Sequence, residues 1–239
     1  MYLENLVFDA VEPQSLGRFW EDALGCERLT DEPEGFETRL PVEGGPVLDL
    51  CFPRVSEPTA APPRLHLDLA GEDRQAAEVE RLLGLGTRNA DIGQGDVPWV
   101  VLADPEGNPF CVLEDRPAYA GTGPLAALPL HSADPDRDAR FWSWLSGWVA
   151  VDGLAPRSLR HSSLRGPFLE LCHEPAAKTA SKNRMHLDVR LEAGDDADAV
   201  AAGIAERGGR ELHPAWGELR WRVYVDPSGN EFCVLPALA

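Results

Sequence analysis

The chain has 239 residues and a formal net charge of −18, and an acidic balance of that size argues against a nucleic-acid partner, because phosphate binding needs clustered cations. At 44% hydrophobic and 26% charged it reads as an ordinary globular protein, with no apolar run of about 18 residues to mark a membrane span. The start, MYLENLVFDAVEP, lacks the basic segment and long apolar stretch of a signal peptide, and five cysteines at wide spacing suit free thiols in a reducing cytoplasm.

Asn5–Ala10 (NLVFDA) reads as a first strand. Pro13 suits the first helical position, where its missing N–H costs nothing. Leu16, Phe19, Trp20, Ala23 and Leu24 then recur at helical spacing on one apolar face, and Gly25 ends the helix. Three short strands follow, around Glu27–Leu29, Phe36–Leu40 and Val47–Phe52, giving the order β-α-β-β-β. The segment from Pro53 to Pro63 is a loop. Arg64–Leu69 (RLHLDL) alternates strictly, with Arg64, His66 and Asp68 on one face and three leucines on the other. A weaker helical stripe over residues 73–83 leads into two or three strands and a hairpin at Asp104–Leu113 (DPEGNPFCVL). In that turn Asp bonds its own backbone, Pro sets φ and Gly accepts a positive φ.

Asp115–Pro124 is rich in Pro and Gly and reads as the boundary between residues 1–116 and 125–239. The second half repeats the first. Leu128–Ser132 is a strand; Asp134 and Pro135 start a helix; Phe141-Trp142 matches Phe19-Trp20, and Gly147 matches Gly25. FLELC at Phe168–Cys172 matches LDLCF, RMHLDV matches RLHLDL, and DPSGNEFCVL at Asp226–Leu235 matches the first hairpin in eight of ten letters. The chain is a duplication. With two lysines, twenty arginines and a heavy Ala, Gly and Pro load, its composition points to a GC-rich bacterial genome.

A helix ending Phe-Trp-x-x-x-x-Gly, a carboxylate in a short apolar strand, an x-His-Leu-Asp strand and a terminal DPxGN hairpin, all in order and all twice, resemble the vicinal oxygen chelate superfamily. This groups the glyoxalases, bleomycin-resistance proteins and extradiol dioxygenases, and the glyoxalase-like branch is the nearest. The resemblance implies an α+β fold of four βαβββ modules, with curled, mostly antiparallel sheets that form cups for a metal or a small ligand, and halves that pack as a pseudo-dimer in one, even monomeric, chain. It also implies four ligand positions per cup. By motif these fall at Asn5, Asp49, His66 and Cys111 in the first half, and at Ala127, Glu170, His186 and Cys233 in the second. Ala127 has no donor, and cysteine replaces the usual glutamate at the last position.

Two readings stay open. Asp49, His66 and Cys111, with Glu170, His186 and Cys233, form three-ligand sets that suit zinc or iron, and a divalent metal there would support a lyase, isomerase or dioxygenase. The leading expectation is a cup that binds a small organic molecule without an obligatory metal, since the first ligand is lost and the last is a thiol that a nearby carboxylate keeps protonated. His66 and His186 are then the candidate catalytic bases, against a structural role beside Asp68 and Asp188. His131 stands where the first half has Asp9. Trp99 and Trp221, just ahead of the two hairpins, are candidate cup walls, and Trp216 has no counterpart. Phe19-Trp20 and Phe141-Trp142 are expected in the core. Decayed, side-chain-filled cups would instead point to a regulatory protein. Whether the cups form within or across the halves stays undecided.

Overall fold

A computed structural model describes residues 1–57, 59, 61–214 and 217–238; Trp216 lies outside them. Four modules follow one another along the chain. The first is β1 (Tyr2–Phe8), α1 (Pro13–Leu24), β2 (Glu27–Glu32), β3 (Gly35–Leu40) and β4 (Leu48–Pro53). The second is β5 (Asp68–Ala70), α2 (Gln75–Gly84), β6 (Arg88–Asn89), β7 (Val100–Ala103) and β8 (Pro109–Leu113). The third is β9 (Leu125–Ser132), α3 (Pro135–Ser146), β10 (Val149–Val151), β11 (Arg157–Arg160) and β12 (Phe168–His173). The fourth is β13 (Met185–Arg190), α4 (Ala197–Glu206), β14 (Arg210–Leu212), β15 (Arg222–Val225) and β16 (Glu231–Leu235). No helix among the described residues is long and apolar enough to cross a membrane.

The strands form two open, mostly antiparallel sheets of eight, and each sheet draws one module from each half. The first runs β14-β15-β16-β13-β1-β4-β3-β2; the second runs β10-β11-β12-β9-β5-β8-β7-β6. At each centre the leading strands of two modules pair antiparallel, β1 with β13 and β5 with β9. The cups therefore form across the halves, which separates Asp49 from His66 and Cys111, and Glu170 from His186 and Cys233.

Strand alternation sorts side chains between two faces. Leu3, Leu6, Phe8, Leu48, Leu50, Phe52, Leu65, Leu67, Leu187 and Val189 join the helix residues Leu16, Phe19, Trp20, Phe141 and Trp142 in one core shared by both sheets. α1 starts at Pro13 and ends on Gly25 at φ 67; α3 starts with Asp134 accepting from the Arg137 N–H and ends on Gly147 at φ 73. The opposite faces carry the polar residues and one small apolar cluster each.

The two hairpins tie these layers together. Asp104 Oδ1 accepts the backbone N–H groups of Glu106 and Asn108, and Gly107 takes φ 86. Its Oδ2 accepts from Asn108 Nδ2 at 2.7 Å and from the buried indole of Trp20 at 3.2 Å. Asp226 repeats this with Ser228, Asn230 and Trp142, again at 3.2 Å to the indole. In both halves the Trp lies 84 residues before the Asp. Because α1 packs on β3 and β4 of the first sheet while the Asp104 hairpin belongs to the second, each Trp–Asp bond joins the two sheets. The aromatic pairs are thus core, as their spacing predicts, and also the partners of the DPxGN turns.

One expected strand is shorter than its letters suggest. Arg64–Leu69 alternates, yet β5 covers only Asp68–Ala70, with an isolated bridge at Leu65 to Leu130. Pro129 of β9 lies opposite this segment, where His66 N donates to its carbonyl, but it has no N–H to return. The equivalent position in the first sheet is Val7, and β13 there is continuous. Strand β9 also begins three residues earlier than expected, at Leu125.

Candidate functional site

The first cup lies on the face of β3, β4, β1, β13 and β16 that carries Arg39, Asp49, Asn5, Asp188 and Cys233, which are register neighbours across the sheet. Arg39 holds both oxygens of Asp49, Nε to Oδ1 at 2.7 Å and Nη2 to Oδ2 at 2.8 Å. Arg190 pairs with Glu4, and Lys182 with Asp9. Deeper in, His186 Nε2 lies 3.3 Å from Asp188 Oδ1 and 3.7 Å from Cys233 Sγ. Asn5 donates to the other Asp188 oxygen at 3.4 Å, which leaves Asp188 Oδ1 and His186 Nδ1 buried with no hydrogen-bond partner among the described residues. Burial, helped by the Lys182 charge, lowers the His186 pKa to about 3, and burial raises that of Asp188 to about 7. Burial drives both groups toward their neutral forms and is also the main cause that keeps the Cys233 thiol protonated.

The second cup repeats the positions with different occupants. His66 Nε2 lies 3.4 Å from Asp68 Oδ1, and Cys111 is opposite Asp68 on β8. Burial and the Asp68 charge push the Cys111 thiol pKa far up. Register places Ala127 where the first cup has Asn5, Ser158 where it has Arg39, and Ala70 where it has Arg190. Glu170 therefore has no arginine at that register, and Arg116 acts on it only as a nearby charge. Glu170 Oε1 accepts instead from the hydroxyl of Tyr119 at 3.0 Å, a buried bond. Tyr119 belongs to a single turn of 3-10 helix, Pro117–Tyr119, in the segment between the halves, and its ring meets Phe168 edge-on at 5.5 Å.

Burial raises the Glu170 pKa to about 7, against the lowering effect of the Tyr119 bond. The folded state then keeps a proton that the unfolded state has lost, so stability falls as pH rises between about 4.5 and 7 and levels off above. The shift corresponds to about 3 kcal/mol lost at pH 8 relative to pH 4. Glu170→Gln is expected to remove most of that slope while keeping the acceptor. Urea unfolding of both proteins at pH 5 and pH 8 checks this; equal slopes would contradict it.

The first two family positions of each half do not fit a metal ion as this chain holds them. Asn5 is turned to Asp188, both Asp49 oxygens are on Arg39, Ala127 has no donor, and Glu170 bonds Tyr119. Two three-residue groups do fit. In His66, Asp68 and Cys111, and in His186, Asp188 and Cys233, one ligand atom from each residue lies within 4.8 Å of the others. Asp68 Oδ1, like Asp188 Oδ1, is buried without a hydrogen bond. Imidazole, carboxylate and thiolate together suit zinc or iron.

Of the expected residues, Asn5, Asp49, His186 and Cys233 meet in one cup and His66, Cys111 and Glu170 in the other. Trp99 packs against the second-cup cluster with the Arg116 guanidinium 5.3 Å above its ring. Trp221 stands outside β15 and is 40% exposed. His131 lies 3.9 Å from Glu174, and burial, with the nearby His66 and Arg64 charges, lowers its pKa. Asp68 and Asp188 belong to the clusters themselves, as their shared strand face with the histidines allows. Arg39 and Tyr119 escape sequence reading. The first is signalled only by the hairpin register that sets it opposite Asp49; the second sits in a segment whose letters mark a surface linker.

The glyoxalase-like domain family matches residues 5–113 and again 127–235. None of the curated proteins compared with this sequence matches it. Glyoxalase I from Zea mays is 18% identical, with 98% of this chain and 92% of that one covered at a TM-score of 0.69. A candidate dioxygenase from Bacillus subtilis is 16% identical, with 100% and 86% covered at a TM-score of 0.62. At those identities the likeness is one of fold. With two full matches and four βαβββ modules in two open sheets, the chain belongs to the glyoxalase-like family as a tandem member that carries one family domain in each half.

Proposed function

We propose that this protein binds a small polar organic molecule in the first cup without an obligatory metal. One observation carries the reading. The carboxylate assigned to a metal by family position, Asp49, has both oxygens on Arg39, while Asp188 beside it keeps a buried oxygen that takes no hydrogen bond among the described residues, with His186 Nε2 at 3.3 Å. A bidentate guanidinium–carboxylate pair is strong and geometrically specific, and a metal would have to break it. Asp188 and neutral His186 form a polar wall for a ligand with hydrogen-bond donors. All five cysteines are free, which supports a reducing compartment such as the cytoplasm. A thermal-shift fragment screen is expected to yield hits whose affinity falls at least about tenfold in Asp188→Asn, the effect of one buried hydrogen bond to a charged or polarised group. A screen in which nothing shifts the wild type, or whose hits ignore that substitution, overturns the reading.

The His186–Asp188–Cys233 group favours a second reading, a metal-assisted lyase, isomerase or dioxygenase. Zinc or iron held by these three residues would leave an open position and polarise a substrate oxygen. Metal analysis of untagged protein separates the two. One equivalent of metal, lost in His186→Ala, establishes the second; metal-free protein that still binds its hits establishes the first.

A further inference from the structure

We propose that the second cup is a phenol-binding site whose resident occupant is Tyr119, an intramolecular ligand that an external phenol displaces. This stands independently of the first-cup reading.

Connecting segments normally run over the surface, because their polar groups need water. Tyr119 departs from that: it is 8% exposed, with Cys111, Leu113, Ala126, Ala127 and Phe168 in the same buried cluster. The room comes from the sequence of the cup itself. Three long polar side chains of the first cup, Asn5, Arg39 and Arg190, are replaced at the same register by Ala127, Ser158 and Ala70. The space they free takes one aromatic ring. The replacements also remove the cation that neutralises the first cup's carboxylate. Glu170 is 4% exposed, and among the described residues its side chain accepts from the Tyr119 hydroxyl alone. The site thus offers an acceptor at its end and apolar walls at its sides, with an edge-on aromatic at Phe168. Those features select a flat ring carrying one O–H.

The segment is fastened at its ends and not through the ring alone. Thr122 Oγ1 donates to the Tyr119 carbonyl, Arg160 Nη2 to the Ala120 carbonyl, and Arg116 pairs with Glu114 above Trp99. A cleft of about 510 Å³ runs beside it, lined by Ala70, Glu72, Leu113, Glu114, Arg116 and Tyr119, and offers the displaced side chain a largely polar exit. The tethered ring competes at an effective concentration of at least about the millimolar range, so an external phenol displaces it only at or above that concentration.

The probe is p-cresol, which is the tyrosine side chain without its backbone, with toluene as the same shape lacking the hydroxyl. In full-length Tyr119→Ala, p-cresol is expected to raise the melting temperature with saturation, and toluene to bind at least about tenfold more weakly. In the wild type, p-cresol but not toluene is expected to increase chymotryptic cleavage after Tyr119. Equal action of the two compounds on Tyr119→Ala, or no greater stabilisation of the variant than of the wild type, overturns the proposal. If Tyr119→Ala fails to fold, Tyr119→Phe decides. It keeps the ring and a chymotryptic site, and losing the hydroxyl must speed cleavage there at least about tenfold; an unchanged rate overturns the proposal.

Discussion

Asp226→Ala is expected to lower stability by about 4 kcal/mol, a large part of the 5–15 kcal/mol typical of a folded domain. Four N–H groups converge on this carboxylate, from the backbone of Ser228 and Asn230 and from the side chains of Asn230 and Trp142. Truncation leaves them without an acceptor. Trp142 and Asn230 are 1% and 2% exposed, so water reaches neither, and each buried orphan costs about 1–3 kcal/mol. The half-buried Ser228 N–H recovers a water, which holds the total below the sum of four. Trp142→Phe provides the control. It removes one donor, leaves Asp226 with three and opens a small cavity in the core, so its cost is about 2 kcal/mol. Urea unfolding of both variants measures the contrast. If Asp226→Ala falls within about 1 kcal/mol of the wild type, the bond network is not what joins α3 to the β15–β16 hairpin. Asp104 and Trp20 make the same contacts in the other half, and Asp104→Ala is expected to match.

Separating the halves is expected to abolish folding of either as a monomer. Fragments 1–116 and 125–239 each hold two complete modules, but the structure pairs the first module with the fourth and the second with the third. Alone, the first fragment loses the β1–β13 ladder and uncovers Leu3, Leu6 and Phe8, each at most 2% exposed in the whole chain. Burial of side chains of this size contributes about 1.5–3 kcal/mol apiece, so three together match the stability of a small domain. The second fragment uncovers Met185, Leu187 and Val189 in the same way. Each fragment should therefore be unfolded or should dimerise to copy the missing pairing, and co-expression of both should restore the full assembly. Size-exclusion chromatography with far-UV circular dichroism reads this directly. A folded monomer of either half would mean that its two modules can close a cup between themselves.

Local letters determine much of this protein. The DPxGN turns follow from Asp, Pro and Gly acting within five residues, and the glycines take the positive φ that no neighbour could impose. Helix limits follow from Pro13, Gly25, Asp134 and Gly147. Alternation puts Asp49, Glu170, His66 and His186 on cup faces, because side-chain direction in a strand has a period of two. The duplication follows from letter identity alone. Which strands become neighbours is a different matter. Alternation says which way a side chain points and nothing about the strand beside it, so only the tertiary structure decided that Asp49 shares a cup with His186 and Glu170 with His66. The same holds for Trp20 with Asp104, whose 84-residue spacing carries no local signal, and for Tyr119. Its surroundings in sequence, Pro117 to Gly123, mark a solvent-exposed linker. It is buried in a cluster with Ala127 and Ala70, far apart in the chain, beside Glu170, which accepts from its hydroxyl.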